Sequence, residues 1–297
     1  MDNRRGILLM LLAMLLFSFE DALIKALSSE WSTAQVLLVI GLGGGAILAG
    51  LARRAGQPIL HRANLHWAVL VRSGAEAVAT FLFVTALATA PLGITSAIIQ
   101  AAPLALVAGS ALLLGEPVGW RRWSAVCTGF AGVLLIVRPW GAAFDPSLLL
   151  PVAATAGLAT RDLVTRKVPA EVGTLALSVW AYAGVLLAAA VALLIEPRVA
   201  VPTPADLPAI LALLVFSTVG YYAVTESIRV GEVAAVAPFR YARLVFAAVL
   251  GFAFFGEVPD RLSLAGAALI IGSGVYAMLR EARAARRPVA SQVRVSR

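Results

Sequence analysis

The chain has 297 residues, of which 61% are hydrophobic and only 13% are charged, and its net charge is +8. Soluble domains are about half apolar and about one quarter charged, so these charged residues are too few to cover the surface of a water-soluble globule. The composition therefore excludes an ordinary cytosolic enzyme, a disordered chain and a disulfide scaffold, and it indicates a protein that is solvated by lipid.

Ten apolar segments follow one another along the chain. About 20 residues are needed to cross a hydrocarbon layer about 30 Å thick, and a helix satisfies its own backbone hydrogen bonds there. The first segment follows two arginines, as a signal peptide does. It continues into Glu20 and Asp21 without a small-residue cleavage site, so we expect it to be retained. The predicted membrane helices are residues 6–27, 33–52, 67–89, 92–114, 120–138, 147–166, 174–195, 207–228, 233–255 and 261–280.

The basic residues lie mainly in alternate loops. If the N-terminus is cytoplasmic, sixteen lysine and arginine residues lie on the inner side and about four on the outer side. Such a bias orients membrane helices, so we expect a multi-pass protein of the bacterial inner (plasma) membrane with both termini in the cytoplasm. Because topology explains the positive charge, we expect no nucleic-acid partner. Residues 283–297 are predicted to form a basic cytoplasmic tail beside the lipid bilayer.

An internal repeat divides the chain into two halves. Leu114-Gly115-Glu116-Pro117 recurs as Phe255-Gly256-Glu257-Val258-Pro259, and the separation between the two glutamates defines the repeat offset. The same offset relates Asp21 to Asp162 and Lys25 to Arg166. Five crossings in each half invert the second half relative to the first, an arrangement typical of transporters.

We therefore predict an all-α integral membrane protein with ten transmembrane helices. They form two inverted five-helix repeats, residues 1–140 and 141–282, around a central cavity.

The halves resemble the EamA-type repeats of the drug/metabolite transporter superfamily. The features that carry the resemblance are a small-residue-rich fourth helix with Pro103, the Gly-Glu ending, and a glycine-rich fifth helix. Within the superfamily the chain looks most like the YddG-type amino-acid exporters. The resemblance implies a secondary transporter with a small-molecule substrate. The second half departs from the pattern, because Leu244 occupies the position of Pro103 and the proline comes earlier, at Pro238.

Charged residues inside the predicted helices are the main functional candidates. A charge at the bilayer centre costs about 2.5–3.5 kcal/mol on insertion scales, so such groups face a cavity or a partner. Several are spaced i, i+4 and are predicted to pair locally along one helix: Asp21 with Lys25, Arg72 with Glu76, and Asp162 with Arg166. The others are Glu20, Arg161, Glu226, Arg240 and Arg243.

A polar stripe on the third helix indicates a binding cavity. Arg72, Glu76, Thr80 and Phe83 share one helical face. Arginine binds a carboxylate with paired donors, and a structural clamp is the alternative for the arginines of the ninth helix. The predicted substrate-binding residues are Phe17, Glu76, Thr80, Phe83, Gln100, Trp180, Tyr221, Tyr222, Glu226, Arg240 and Tyr241. The predicted gating or structural residues are Asp21, Lys25, Pro103, Glu116, Asp162, Arg166, Pro238 and Glu257.

Three classes of function are compatible with these patterns. We expect a secondary transporter that exports aromatic or neutral amino acids or related metabolites by alternating access. Export of other metabolites or drugs, with or without proton coupling, is the alternative. A membrane enzyme is disfavoured because both histidines lie in one loop, and a channel because no repeated selectivity filter is visible. With one cysteine and those two histidines, we expect no metal site and no cofactor. The sequence leaves monomer and homo-oligomer open.

Overall fold

The computed structural model describes residues 2–141, 144–195, 199–231 and 233–285. These residues form ten long helices and no strand, which confirms the predicted all-α fold. The predicted basic tail lies outside the described residues from position 286 onward, and 283–285 are the last residues of the final helix. The helices are α1 Asn3–Leu27, α2 Thr33–Arg54, α3 Trp67–Thr89, α4 Leu92–Leu114, α5 Trp120–Val137, α6 Leu149–Thr165, α7 Thr174–Ile195, α8 Leu207–Val230, α9 Ala237–Phe255 and α10 Arg261–Ala285.

Nine of the helices within the described ranges are long and apolar enough to cross a membrane. The tenth, α5, has 18 residues and begins with Arg121 and Arg122 in its first turn. At 1.5 Å per residue it is about 27 Å long, close to the thickness of the hydrocarbon layer. Because α5 packs along α10, it is an integral part of the same bundle.

Contacts near the ends of the helices define the two ends of the bundle. At one end, called the Glu116 end, the Arg72 Nε in the second turn of α3 donates to the Thr165 hydroxyl at the end of α6 over 3.0 Å. At the other, called the Glu257 end, the Gln35 side chain at the start of α2 exchanges hydrogen bonds of 2.9 and 3.0 Å with the backbone of Ala200 after α7. Successive helices therefore cross the bundle in opposite directions.

The packing of the helices repeats between the two halves. Helix α1 packs on α8, and its counterpart α6 packs on α3, the counterpart of α8. Three further pairs, α2 with α7, α4 with α9 and α5 with α10, join each helix to its own counterpart. In the last pair Gly132 and Gly266 face each other, since a Cβ added to Gly132 would lie 2.6 Å from the Gly266 carbonyl oxygen. The two halves are thus related by an approximate two-fold axis, as inverted repeats require.

The repeat-related segments 92–114 and 233–255 are both interrupted near their middle. Helix α4 has a turn at Gln100 and Ala101, and α9 begins with the 3-10 segment Ala237–Tyr241. Gln100 and Tyr241 correspond to each other by the repeat offset. Pro103 and Pro238 each lie in the first turn of a new segment, where a missing N–H breaks no helical hydrogen bond. The breaks therefore occupy equivalent positions although the prolines do not.

The recurring Gly-Glu sequence ends α4 and α9 in the same way. Gly115 and Gly256 have φ values of 67° and 65°, a left-handed conformation that glycine adopts without a Cβ clash. The next backbone N–H donates back into the helix, from Glu116 to Ser110 over 3.1 Å and from Glu257 to Gly251 over 3.0 Å. The motif thus places one glutamate at each end of the bundle.

Candidate functional site

A cavity of about 680 Å³ lies between the two repeats. Its walls come from α1, α3, α4, α6, α7, α8 and α9, with smaller contributions from α2, α5 and α10. The lining extends to Glu116 and Arg166, whose side chains are 46% and 47% exposed. The cavity therefore reaches the surface at the Glu116 end.

The opposite end of the cavity is sealed. An apolar cluster fills the space between the cavity and the Glu257 end, and its buried members include Trp31, Leu87, Ala247 and Leu250. Above the cluster, the Lys25 Nζ donates to the Ala90 carbonyl oxygen over 2.6 Å and lies 3.2 Å from the Glu257 carboxylate. The structure is thus open at one end only.

Six arginines and five carboxylates line the cavity, and most of them form ion pairs between helices. Arg243 of α9 holds Asp21 of α1 through three hydrogen bonds of 2.8 to 3.0 Å. Asp21 is only 2% exposed, and the guanidinium also lies over the Phe17 and Phe83 rings at 5.3 and 5.6 Å. This clamp joins the first helix to the ninth. The sequence alternative of a structural clamp named Glu226, Glu76 or freed carbonyls as partners of the α9 arginines. The partner of Arg243 is instead Asp21.

A second ion pair joins α3 to α6. The Arg161 Nη1 donates to both carboxylate oxygens of Glu76 over 3.1 and 3.0 Å, and its Nε donates to Asp162 over 2.8 Å. The Arg72 Nε instead bonds the Thr165 hydroxyl. Glu76 faces the cavity but is already held by a cation.

The predicted local pairs along single helices are wrong. Four of the six predicted partners are bound across the bundle instead: Asp21 to Arg243, Lys25 to Glu257, Glu76 to Arg161, and Arg166 to Glu116. Asp162 bonds the neighbouring Arg161 and Arg72 bonds Thr165. The physical reason is that packing in the bundle brings a partner of opposite charge from another part of the chain closer than the next turn of the same helix does.

Among the residues that the structure describes, Arg240 and Glu20 line the cavity without forming a salt bridge. In the described part of the chain, the Arg240 guanidinium forms no hydrogen bond or ion pair, and the side chain is exposed to the cavity. Its backbone carbonyl accepts a hydrogen bond of 2.8 Å from the Gln100 amide, which ties the break in α9 to the break in α4. Glu20 likewise lacks an ion pair among the described residues, and its carboxylate is approached by the Ser217 hydroxyl.

Aromatic rings and hydroxyls complete the wall opposite Arg240. The Ser178 and Tyr221 hydroxyls are 2.7 Å apart, and the Tyr182 hydroxyl lies 3.5 Å from that of Ser217. A Cβ on Gly44, in the π-helical turn of α2, would collide with the Tyr182 ring. Glycine at this position is therefore what allows the tyrosine to stand against α2 and face the cavity.

The structure brings eight of the predicted substrate-binding residues to the cavity wall: Phe17, Glu76, Thr80, Phe83, Gln100, Tyr221, Arg240 and Tyr241. Three predicted residues lie elsewhere. Trp180 donates from its Nε1 to the Ile59 carbonyl oxygen over 3.0 Å and so anchors the α2–α3 loop. Tyr222 is 65% exposed on the outer surface of α8, and Glu226 is not part of the wall.

The predicted gating or structural residues fall into two groups. Asp21, Pro103, Glu116, Asp162 and Arg166 line the cavity. Lys25 and Glu257 lie at the sealed end, and Pro238 begins the 3-10 segment of α9.

The sequence interpretation left several wall residues out of the predicted site: Glu20, Arg161, Ser178, Tyr182, Ser217 and Arg243. The i, i+4 spacing of Ser178 and Tyr182 on α7 could have indicated a shared face. Among the described residues, no group of three or more histidine, cysteine, aspartate and glutamate side chains is arranged to hold a metal ion.

Comparisons with known proteins agree with this architecture. Residues 4–138 and residues 146–279 each match the model of the EamA-like transporter family. The chain is 28% identical over 285 residues to a riboflavin transporter of Rhizobium johnstonii, covering 95% of this chain and 94% of that protein. It is 29% identical over 274 residues to a pseudopaline exporter of Pseudomonas aeruginosa, covering 90% and 94%.

A crystal structure described only as that of a protein shares the fold. It superimposes with a TM-score of 0.59 at 22% sequence identity and covers 95% of this chain and 99% of that one. The two matched segments and the curated relatives support a multi-pass membrane transporter of small molecules. The narrower likeness to the YddG-type exporters stays a prediction.

Proposed function

The chain belongs to the EamA-like transporter family, and we propose that it moves a small zwitterionic metabolite, an amino acid or a related compound, across the membrane by alternating access. The observation that carries the proposal is the cavity between the repeats. It is open at one end, and it contains a guanidinium and a carboxylate that form no ion pair within the described residues. Such groups are available to a substrate without breaking an existing contact.

Arg240 is the proposed site for the substrate carboxylate. A guanidinium binds a carboxylate through two parallel hydrogen bonds, and Arg240 is held at the break of α9 by its bond to Gln100. Glu20 is the proposed site for the substrate ammonium group. Of the acids that the sequence predicts to bind substrate, Glu76 is bound by Arg161 and Glu226 is not part of the wall.

The side chain of the substrate has an apolar wall available. Phe17, Phe83 and Tyr182 line the same cavity as Arg240 and Glu20. A volume of about 680 Å³ lies within the range of about 300–1,000 Å³ common for metabolite sites. These features favour an aromatic or neutral amino acid. Riboflavin is the second candidate, because a riboflavin transporter matches the chain over nearly its whole length.

The basic loops support an orientation of the cavity in the membrane. We place the Glu116 end in the cytoplasm because most lysines and arginines lie in the loops at that end. The structure then corresponds to an inward-facing state, in which the cavity exchanges its substrate with the cytoplasm.

Counterflow in proteoliposomes tests the proposal. Vesicles loaded with unlabelled amino acid should accumulate the labelled compound, with riboflavin assayed in parallel. Arg240→Gln should raise KM at least about tenfold, since it removes a charged contact worth about 1.5–3 kcal/mol. Tyr222→Phe is the matched control, because that side chain lies on the outer surface. Absence of saturable uptake for every amino acid tested would reject the amino-acid proposal.

A further inference from the structure

Two ion pairs at opposite ends of the bundle are related by the repeat. Lys25 corresponds to Arg166, and Glu116 corresponds to Glu257, each by the repeat offset. The Lys25 Nζ lies 3.2 Å from the Glu257 carboxylate, and the Arg166 Nη1 lies 2.6 Å from the Glu116 carboxylate. Each pair joins the C-terminal end of the first helix of one repeat to the glutamate of the Gly-Glu sequence after the fourth helix of the other repeat. The same contact is thus made twice, once at each end.

The surroundings of the two pairs differ. Lys25 and Glu257 are each only 16% exposed, and the lysine also caps the Ala90 carbonyl and lies 5.4 Å from the centre of the Phe255 ring. Arg166 and Glu116 are about half exposed at the open mouth of the cavity. One pair is therefore part of a sealed end, and its counterpart is formed at an end that is open.

The acceptor used by Lys25 has a counterpart for Arg166. Ala90 ends α3 in an extended conformation with φ −123° and ψ 161°. Gly231, which corresponds to it by the repeat offset, ends α8 with φ −100° and ψ 161°. A carbonyl in the same backbone conformation is therefore already present near the Glu116 end, and Arg166 forms no hydrogen bond to it within the described residues.

We propose that the two ion pairs are latches that hold opposite ends closed in alternate states, the Lys25–Glu257 latch in the state seen here and the Glu116–Arg166 latch in the other. This inference rests on the proposed alternating access. When the Glu116 end closes, the Glu116–Arg166 latch becomes buried and Arg166 caps the Gly231 carbonyl, as Lys25 caps Ala90 now.

The energetic argument follows from burial. An exposed ion pair adds little to stability, whereas loss of one partner of a buried pair is strongly destabilising. Removing a latch therefore destabilises mainly the state in which that latch is buried. Glu257→Gln should favour the state open at the Glu257 end, and Glu116→Gln should favour the state seen here.

Thiol labelling measures both shifts without a transport assay. Ala247 is fully buried in the cluster of the sealed end, and its repeat counterpart Leu106 lines the open cavity. In a Cys127→Ser background, Ala247→Cys reports opening at the Glu257 end and Leu106→Cys reports access from the Glu116 end. The full-length protein in nanodiscs is treated with a water-soluble maleimide, and the labelling rates are compared.

The latch variants should move the Ala247→Cys rate in opposite directions. We expect Glu257→Gln to raise it about tenfold and Glu116→Gln to lower it several-fold. The charge exchange Lys25→Glu/Glu257→Lys should restore part of the difference, because it remakes the ion pair but not the hydrogen bond to the Ala90 carbonyl. Glu171→Gln, which removes an exposed carboxylate from the α6–α7 loop, is the control and should change nothing.

The latch proposal would be overturned if Glu257→Gln and Glu116→Gln changed the labelling rate of Ala247→Cys in the same direction. It would also be overturned if neither variant changed that rate while Leu106→Cys was still labelled fast. If Glu257→Gln does not fold, the test relies on Glu116→Gln and Arg166→Met, which change exposed residues. Both variants must slow the labelling of Ala247→Cys. The labelling also separates this inference from the proposed function. Opposite shifts without counterflow would support the latches and reject the substrate, whereas fast labelling of both reporters in the unaltered protein would contradict alternating access itself.

Discussion

The Asp21–Arg243 clamp allows a quantitative prediction. Asp21→Asn keeps the shape of the side chain but leaves the Arg243 guanidinium without a charged partner. Loss of one partner of a buried pair costs about 3–5 kcal/mol. Arg243 keeps 19% exposure to the cavity and its contacts with the Phe17 and Phe83 rings, so we expect the lower limit, about 3 kcal/mol. At about 2 °C per kcal/mol for a chain of this size, Tm should fall by about 6 °C.

Thermal unfolding in detergent, followed by intrinsic fluorescence, measures this effect. Asp162→Asn is the matched control, because Asp162 is the repeat counterpart, is 40% exposed and bonds only its neighbour Arg161 among the described residues. The control should lose no more than about 1 kcal/mol. The double variant Asp21→Asn/Arg243→Met should recover part of the loss, because it removes the stranded charge. A decrease in Tm of less than about 2 °C for Asp21→Asn would refute the reasoning. Equal decreases in Tm for Asp21→Asn and Asp162→Asn would refute it as well.

Three further changes test other parts of the structure. Trp180→Phe removes a hydrogen bond to the α2–α3 loop and should cost about 1 kcal/mol of stability, with KM unchanged in counterflow. Gly44→Ala should disturb the Tyr182 ring and raise KM while the helix content measured by circular dichroism stays constant. At the Glu257 end, Arg138 holds the pKa of Asp260 well below its usual range. The stabilisation from the Arg138–Asp260 contact is therefore fully present above about pH 4 and is lost as pH falls further. Arg138→Gln should remove this contribution to the acid sensitivity of stability, as measured by unfolding scans at several pH values.

The fold was largely predictable from sequence because its main determinants are local. The length and hydropathy of each segment indicate a membrane helix, and one repeated motif sets the offset that inverts the second half. The shared sequence Gly-Glu was sufficient to find this offset, because a glycine in the left-handed conformation ends both helices at equivalent positions. Even the departure at Pro103 and Pro238 is accommodated, since both prolines begin a new helical segment.

The charge pairing was not predictable in the same way. The i, i+4 rule describes neighbours on one isolated helix, where a pair contributes only about 0.2–0.5 kcal/mol. Inside the bundle a buried charge is stabilised by whichever opposite charge the packing brings nearest. Asp21 and Arg243 are 222 residues apart in the chain, and no spacing in the sequence identifies them as partners. Trp180 and Tyr222 were misplaced for a related reason, since an aromatic residue in a membrane helix can face a loop or the lipid as readily as a cavity.

Comparison of the two halves explains why Glu20 forms no salt bridge with the described residues around the cavity. Arg161 and Glu76 form an ion pair between α6 and α3, and the repeat offset places Glu20 and Ser217 at the corresponding positions of α1 and α8. The helices pack alike in both halves, so the Ser217 hydroxyl approaches Glu20 as Glu76 approaches Arg161. A hydroxyl can donate a hydrogen bond to the carboxylate but cannot neutralise it. The repeat thus keeps the latch contact at each end of the bundle, whereas both members of the Arg161–Glu76 pair are replaced, by Glu20 and Ser217. The Glu20 carboxylate is therefore the group we propose for a cationic part of the substrate.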